Sequence, residues 1–441
     1  MLDSCIVPSF AALLQQFAAC FTAPSFVTFT WLASGWVLNL RRHTVTETVR
    51  AAQAVGIKHI SSFHRFFARG SWVTDEVGLV VVRLVVPLLD PKAPIVVPVD
   101  DTLGRHTGKC IAAASMHRDP LLSTGKRPFF HWGHVWVVLS INVYCFGKTW
   151  ALPVLFRLHR TQKRCKKDGR VFRKTTELAR ELVELLARTL PERKLIVVGD
   201  SAYTNGSLIK GRPSNVTLIG RSRLDAALYA PPPRPRGQRG RPRVRGARVR
   251  SPSQRAARKD ARWLRARITA YGKTVTVRIL VIDALWYVVA GSELLRLVLV
   301  RGFPGHERDD VFVSTDPTLA PQTIIERFSE RWSLEVSFHD SKGRLGFEDP
   351  QNRTEHAVER TAPMALWSYS LVVIWYVTQG QHLRAARLPA MPWYESKAQP
   401  SFGDMLATLR RASWLERISV PCTDVPTLRK RIRPILEYAA A

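Results

Sequence analysis

The sequence has little of what marks a secreted protein or a metal-thiolate protein. Its six cysteines show no CxxC pair and no zinc-ligand spacing, and we expect them to be reduced thiols in a cytosolic protein. No basic segment of a secretory signal opens the chain, and Asp3 stands where one would begin. One uncharged run, 361–379, is long enough to span a bilayer. Because it contains Pro363 and several hydroxyl side chains and no second such run exists, it favours a buried helix.

Acidic residues are also scarce, with 35 Asp and Glu against 66 Lys and Arg, a formal net charge of +31. An excess of this size indicates a polyanionic partner, most simply nucleic acid, with an acidic membrane as the second possibility. A hydrophobic fraction of 46% excludes general disorder, and 441 residues suffice for two or three domains. No internal repeat is present.

The first 222 residues divide into a helical region, 1–92, and an α/β region, 93–222. Within 44–72, two short helices around Gly56 fit either a helix-turn-helix DNA reader or an ordinary helical hairpin. Strands are predicted at 94–101, 194–200 and 216–220, a hairpin at 134–146 and 148–158, and an amphipathic helix at 173–190. This order is typical of a mixed-sheet α/β domain.

The second half begins with an abrupt change of composition. An Arg/Pro-rich arm opens the region 223–310 and is either a solvated linker or a segment that follows a phosphate backbone. Strands are predicted beyond it within 267–302, including Leu285 to Gly291. The region 311–380 is expected to complete the α/β core, with a helix at 361–377 behind the sheet. A basic tail occupies 381–441.

One stretch of that core, Thr323 to Gly346, is predicted as a single helix because no Gly or Pro interrupts it before Gly343. At about 100° per residue, Arg331, Glu335 and Lys342 share a sector of roughly 40°. Phe328 and His339 flank the same stripe. A carboxylate between two cations suits a metal ligand beside a phosphate backbone, and the alternative is a solvated face with an i,i+4 ion pair.

Two aspartates, Asp100 and Asp200, each follow a short apolar strand. Because strand carboxyl ends gather at one edge of an α/β sheet, we expect them to meet Glu335 there. Three carboxylates repel unless cations are bound, and hard oxygen ligands indicate Mg²⁺ or Mn²⁺, with two ions able to sever a phosphodiester. Asp101 makes the first ligand ambiguous, since adjacent strand residues point to opposite faces.

These residues resemble the DDE transposases of bacterial insertion sequences, whose catalytic domain is ribonuclease-H-like. Asp100-Asp101-Thr102 matches the family's D-x-[ST] tripeptide, which favours Asp100, and VVGDSAY matches the surroundings of its second Asp at Asp200. Phe328, Arg331, Glu335 and Lys342 stand at the spacings of Y-x2-R-x3-E-x6-K, with Phe in place of Tyr. The resemblance covers roughly 93–380 and includes a β-rich insertion between the second Asp and the Glu.

The resemblance implies a ribonuclease-H-like mixed sheet flanked by helices, with a β-rich insertion and an N-terminal helical DNA-binding region. It implies a transposase in which Asp100, Asp200 and Glu335 hold Mg²⁺ or Mn²⁺, as two ions, for cleavage and strand transfer. Arg331 and Lys342 would hold phosphates of the transposon end.

Other residues are weaker candidates for DNA contact. They are Lys109, His339, Phe328 by stacking, and Trp286 as holder of a flipped base, with plain structural roles open for His339 and Trp286. Terminal inverted repeats and target DNA would be the partners, in a homodimer, without a membrane, in the bacterial cytoplasm at the nucleoid. A non-catalytic DNA-binding regulator and a nuclease without strand transfer are the competing functions.

Overall fold

The structure, a computed structural model, describes most of the chain. The described residues are 5–119, 122–124, 126–233, 243–386, 397, 399–419, 425, 426, 428, 429, 432 and 433. The interpretation of the arm at 234–242, and that of the tail at 387–396 and over most of 420–441, fall outside them.

The described chain begins and ends with helices, and further helices lie between the strands. They are α1 Pro8–Gln15, α2 Ala23–Leu38, α3 Val45–Ala51, α4 Ile60–Arg69, α5 Thr74–Val85, α6 Gln162–Lys167, α7 Thr175–Thr189, α8 Gly206–Ile209, α9 Pro252–Ala256, α10 Tyr287–Ala290, α11 Pro321–Ser329, α12 Trp332–Leu345, α13 Glu355–Thr378 and α14 Phe402–Ser419. The strands form one sheet. They are β1 Ile95–Arg105, β2 Ser115–Arg118, β3 Phe130–Cys145, β4 Lys148–His159, β5 Leu195–Val198, β6 Val216–Arg221, β7 Leu228–Tyr229, β8 Arg248–Val249, β9 Leu264–Ala270, β10 Lys273–Leu285, β11 Leu294–Arg301 and β12 Asp310–Ser314.

The central part of the sheet has the strand order β4, β3, β1, β5, β6. The long hairpin β3–β4 pairs antiparallel to β1, whereas β1, β5 and β6 run parallel. Fully buried strands such as β5, with sequence LIVV, are typical of parallel pairing covered on both faces. This arrangement confirms the expected ribonuclease-H-like mixed sheet flanked by helices.

The predicted β-rich insertion continues this same sheet. β12 joins β6 to β11, and β11 pairs with β10, so the strands of the insertion and those of the core form one structure of twelve strands within the described residues. One predicted strand is wrong. Residues 287–290 form the short helix α10, which ends at Gly291 in a left-handed conformation (φ 65°) that glycine adopts without steric cost.

Helix α13 covers the sheet, as predicted for 361–377. Trp367 Nε1 donates to the Val154 carbonyl of β4 at 3.1 Å, and Ser370 Oγ donates to that of Pro153 at 2.8 Å. The α2 helix is tied to the end of α12 by Trp36 Nε1, which donates to the Leu345 carbonyl at 2.9 Å. Within the described residues, none of the helices combines the length and the apolar character needed to cross a membrane.

The structure disfavours one of the two interpretations of 44–72, and one other expectation about helices needs correction. The connection 52–59 between α3 and α4 is longer than the three- or four-residue turn of a helix-turn-helix motif. The single helix expected at 323–346 is two helices, because the Arg331 amide bonds to the Phe328 carbonyl three residues back. Ser329 and Ser333 hydroxyls also donate at 2.7 Å to the carbonyls of Glu326 and Glu330, which loosens the helix at the break.

Candidate active site

Asp100 and Asp200 lie side by side, although only Asp200 lies beyond the end of its strand. The prediction that the first strand ends at 101 is wrong, because β1 continues past Asp100 to Arg105 along β3, and only its parallel pairing with β5 ends before Asp100. β1 and β5 are parallel neighbours with Pro98 opposite Val198, so Asp100 and Asp200 each stand two residues beyond paired positions. Adjacent strands lie about 4.8 Å apart. Burial raises the pKa of Asp100 to about 7, against the lowering effect of Arg331, and the negative charges of Asp101 and Asp200 add to the rise.

Glu335 reaches this edge through Arg331. Its carboxylate accepts a hydrogen bond of 2.7 Å from Arg331 Nη2, one helical turn away, and Arg331 Nη1 donates to Asp100 Oδ2. The Arg331 side chain is only 15% exposed. Burial acts to lower the pKa of Arg331, but the charges of Asp100 and Glu335 outweigh it and raise that pKa. The guanidinium therefore joins two of the three predicted carboxylates.

The third predicted carboxylate is fixed by its own turn. Asp200 Oδ1 accepts from the amides of Ala202 at 2.8 Å and Tyr203 at 3.2 Å, which orients the carboxylate at the end of β5. The buried Tyr203 then donates its hydroxyl to Asp101 Oδ2 at 2.8 Å. Asp100 thus carries the link to Arg331 and Glu335, while Asp101 is held by Tyr203.

The donors at this edge suit a hard divalent cation, because they are carboxylates without thiolate or imidazole. As the side chains stand, no group of three or more His, Cys, Asp or Glu within the described ranges is close enough to hold a metal ion. The Arg331 guanidinium supplies the positive charge instead. The Arg331 Nε is buried without a hydrogen-bond partner among the described residues, so the hydrogen-bonding capacity of the guanidinium is not fully used.

Lys342 and Phe328 lie on either side of Arg331 along the chain. Lys342 Nζ donates to the Leu103 carbonyl of β1 at 2.7 Å and lies 3.9 Å from Glu348, and burial lowers its pKa. Phe328 is 8% exposed and packs against Phe312 with ring centroids 4.6 Å apart. Phe328 is therefore a core residue in this conformation, whereas the Lys342 side chain contacts β1 at Leu103, three residues beyond Asp100.

Three further candidates lie apart from the carboxylates. Lys109 is exposed beside a cavity of about 560 Å³ that Arg105, Glu348 and Arg353 also line. His339 is exposed on α12, and Trp286 is half-buried at the start of α10, packed against the main core. Within the described part of the chain, no hydrogen bond or ion pair joins any of the three to Asp100, Asp200 or Glu335.

Sequence reasoning missed two tyrosines at this site. Tyr203 stands within the VVGDSAY segment, where the tyrosine three residues after an acid at a strand end was the available signal. Tyr271, at the β9–β10 turn, packs edge-on against Trp332 with ring centroids 6.1 Å apart. No local pattern marks Tyr271, because its partner lies on another element.

Comparisons with known proteins were made on both sequence and structure. The family model described as DDE superfamily endonuclease matches residues 16–279, which include Asp100 and Asp200 and end before Glu335. A search of curated proteins finds no match. A cryo-EM structure of a piggyBac transposase synaptic complex with hairpin DNA is similar over 97% of this chain and 81% of its own, at 11% identity and a TM-score of 0.42.

Proposed function

The chain belongs to the DDE superfamily endonucleases, and on that basis we propose that it is a DNA transposase acting by metal-dependent strand cleavage and strand transfer. The observation that carries the proposal is that Asp100 and Asp200 lie next to each other at the junction of the parallel strands β1 and β5, with Glu335 joined to Asp100 through Arg331. Carboxylates collected at one sheet edge repel one another, so they favour a bound cation.

The carboxylates of Asp100, Asp200 and Glu335 would hold Mg²⁺ or Mn²⁺, as two ions. Bound there, divalent cations would activate a water or a 3′-hydroxyl and stabilise the leaving oxygen of a phosphodiester. The turn after β5 holds Asp200 in place for this, and Tyr203 holds Asp101 away from Arg331. The chain's own residues therefore orient Asp200 before any cation arrives, whereas Asp100 and Glu335 would have to exchange Arg331 for the cation.

Arg331 has two roles in this proposal. Without a cation, Arg331 neutralises Asp100 and Glu335. With a cation bound, Arg331 would turn away from these carboxylates to hold a phosphate, because its planar guanidinium can donate two parallel N–H bonds to phosphate oxygens. Lys342, on the same helix, would hold a second phosphate near β1.

The further proposals are that the gene belongs to a bacterial insertion sequence, and that the protein acts as a homodimer on inverted-repeat ends at the nucleoid.

The test uses a supercoiled plasmid that carries the DNA flanking this gene. We expect the wild type to nick it with Mg²⁺ or Mn²⁺, and Asp200→Ala to lower the cleavage rate at least about a hundredfold while binding persists in metal-free buffer. Asp225→Ala removes a surface carboxylate whose ion pair within the described residues is with the neighbouring Arg223 alone, and serves as the matched control.

Two further measurements complete this test. Ca²⁺ should raise the thermal midpoint of the wild type but not of Asp200→Ala, which reports metal binding without catalysis. Cleavage that survives in Asp200→Ala would contradict the metal role. A pre-cut DNA end with a free 3′-hydroxyl separates the candidate reactions, because a nuclease without strand transfer cleaves the plasmid and never joins that end to a target.

A further inference from the structure

The hairpin of β9 and β10 ends next to the candidate active site. Tyr271 and Gly272 form its turn with positive φ angles of 52° and 75°, the backbone that tight hairpins require. Tyr271 packs on Trp332, the residue after Arg331, and the Thr269 amide donates to Glu326 of α11 at 2.9 Å. The position of the hairpin relative to α12 is therefore set by direct contacts.

The two faces of this hairpin differ sharply. One face, with Ala266, Ile268, Val277 and Ile279, is buried in the core that α11 shares. The other face is exposed and carries only basic and hydroxyl side chains on its paired positions, which are Arg265, Arg267, Thr269, Thr274, Thr276 and Arg278. We call this exposed face the basic ribbon.

The arginines of the basic ribbon are set against one another. Arg265 lies directly opposite Arg278 in the β9–β10 register, and Arg278 lies opposite Arg301 of β11 on its other side. Side chains directly opposite each other lie about 5 Å apart at Cβ, and like charges so placed destabilise a sheet. Arg267 adds a further charge diagonally next to Arg278.

Neighbouring arginines of the sheet have acidic partners, and those of the basic ribbon do not. Arg301 makes a bidentate pair with Asp309 at 2.8 and 2.7 Å, and Arg296 pairs in the same way with Asp283. Among the described residues, no ion pair or hydrogen bond of the Arg265, Arg267 or Arg278 side chains is present. The repulsion in this row is thus uncompensated within the described chain.

We propose that the basic ribbon binds the phosphate backbone of duplex DNA that extends beyond the cleaved phosphodiester, an inference that rests on the proposed function. Arg267 and Arg265 stand roughly 13 and 20 Å from the hairpin tip at about 3.3 Å per residue, so they follow a strand outward from the site. Guanidinium groups bind phosphates bidentately, and the threonine hydroxyls supply neutral donors between them. A bound polyanion also removes the repulsion between Arg265 and Arg278.

The experiment compares three triple variants of the full chain on a fluorescein-labelled DNA duplex, one of which replaces Arg265, Arg267 and Arg278 by Lys. Arg265→Gln, Arg267→Gln and Arg278→Gln remove the charges of the basic ribbon. The control variant carries Lys92→Gln, Arg188→Gln and Lys194→Gln. These remove three exposed charges near the amino ends of β1 and β5, at the other end of the sheet from the carboxylates. Binding is measured by anisotropy over a range of salt concentrations.

We expect the ribbon variant to bind at least about tenfold more weakly at physiological salt, with its log–log salt slope reduced by about 2 to 3. The control variant should keep the wild-type slope, and the Arg→Lys triple, which retains the charges, should keep it as well. The free ribbon variant should melt no lower than the wild type, because its substitutions relieve repulsion.

Equal slopes and affinities for the ribbon variant and the wild type would overturn the inference, as would an equal loss in the control variant. A ribbon variant that melts well below the wild type would assign the three arginines a structural role instead. Failure of the proposed function is a separate result. A wild type that cleaves DNA with no divalent metal contradicts that function. The salt slopes of binding would still show whether the basic ribbon binds DNA.

Discussion

At the scale of single residues, Arg331 determines the electrostatics of the candidate site. It is the one side chain that bonds to both Asp100 and Glu335 among the described residues, and its guanidinium is largely buried between them. Removing one partner of a buried ion pair costs far more than the pair contributes, because the other charge is left uncompensated. Arg331 therefore holds together the carboxylates that a metal would need.

We expect Arg331→Ala to lower the free energy of unfolding by about 3 kcal/mol in metal-free buffer, since Asp100 and Glu335 lose their shared cation. Ca²⁺ should restore part of that loss and stabilise this variant more than the wild type. Urea denaturation with EDTA and with Ca²⁺ checks both statements.

Arg327→Ala is the control for this experiment. It removes a half-exposed pair with Glu330, and should cost less than about 1 kcal/mol. If Arg331→Ala were as stable as the wild type and indifferent to Ca²⁺, Arg331 would not hold the carboxylates together.

The residues of the site were predictable to different degrees. Asp200 follows from an apolar run that ends in acid, because strand carboxyl ends meet at one edge. The same pattern marked Asp100, although β1 continues beyond it to Arg105 and only its parallel pairing with β5 stops before it. The bond from Tyr203 to Asp101 joins residues that are far apart along the chain, so no local pattern shows it. The same holds for Arg331, whose spacing from Glu335 was visible while its bond to Asp100 depends on how β1 and α12 pack.

At the scale of elements, long periodic segments were predictable and their ends and breaks were not. The β3–β4 hairpin lies where two β-branched and aromatic runs separated by Gly147 predict it, and α7 lies where an amphipathic pattern predicts a helix. The break at 330–331 depends on serine hydroxyls competing for carbonyls, which side-chain propensity does not register. Helix α10 replaces a strand because the chain must turn between β10 and β11, whatever the β-propensity of Tyr287 and its valine neighbours.

Two glycines inside helices predict opposite effects on stability. A Cβ on Gly78 of α5 would come 2.5 Å from the Val154 carbonyl of β4, whereas a Cβ on Gly343 of α12 would meet nothing within 4 Å. We expect Gly78→Ala to destabilise the fold by about 1 to 3 kcal/mol through forced separation of α5 from β4. Gly343→Ala should stabilise it by up to about 1 kcal/mol, since alanine loses less backbone entropy.

Thermal and urea unfolding of the two alanine variants, side by side, test this pair. Equal shifts of the same sign would mean that the close packing of α5 on β4 does not govern stability.

At the scale of the whole molecule, the net charge of +31 opposes compactness. Ion pairs such as Arg157–Asp75 and Arg160–Glu355 match basic residues with acids at the junctions of sheet and helices, which leaves the net excess unchanged. With 35 acids against 66 bases, this excess has no acidic counterpart in the chain, and the basic ribbon is a local instance of it. Composition thus indicated a polyanionic partner, while only the fold shows which cations lie near the carboxylates.

The unmatched charge predicts how salt and DNA change the stability of the free protein. Between low ionic strength and about 0.5 M NaCl, screening should raise the thermal midpoint, because at these salt concentrations the Debye length falls below about 10 Å and long-range repulsion weakens. A DNA duplex should raise the midpoint further at low salt and lose this effect as salt displaces it. Differential scanning fluorimetry over a grid of NaCl and duplex concentrations measures both trends. A midpoint that falls with added NaCl would show that local ion pairs, rather than net repulsion, dominate the electrostatic free energy of this fold.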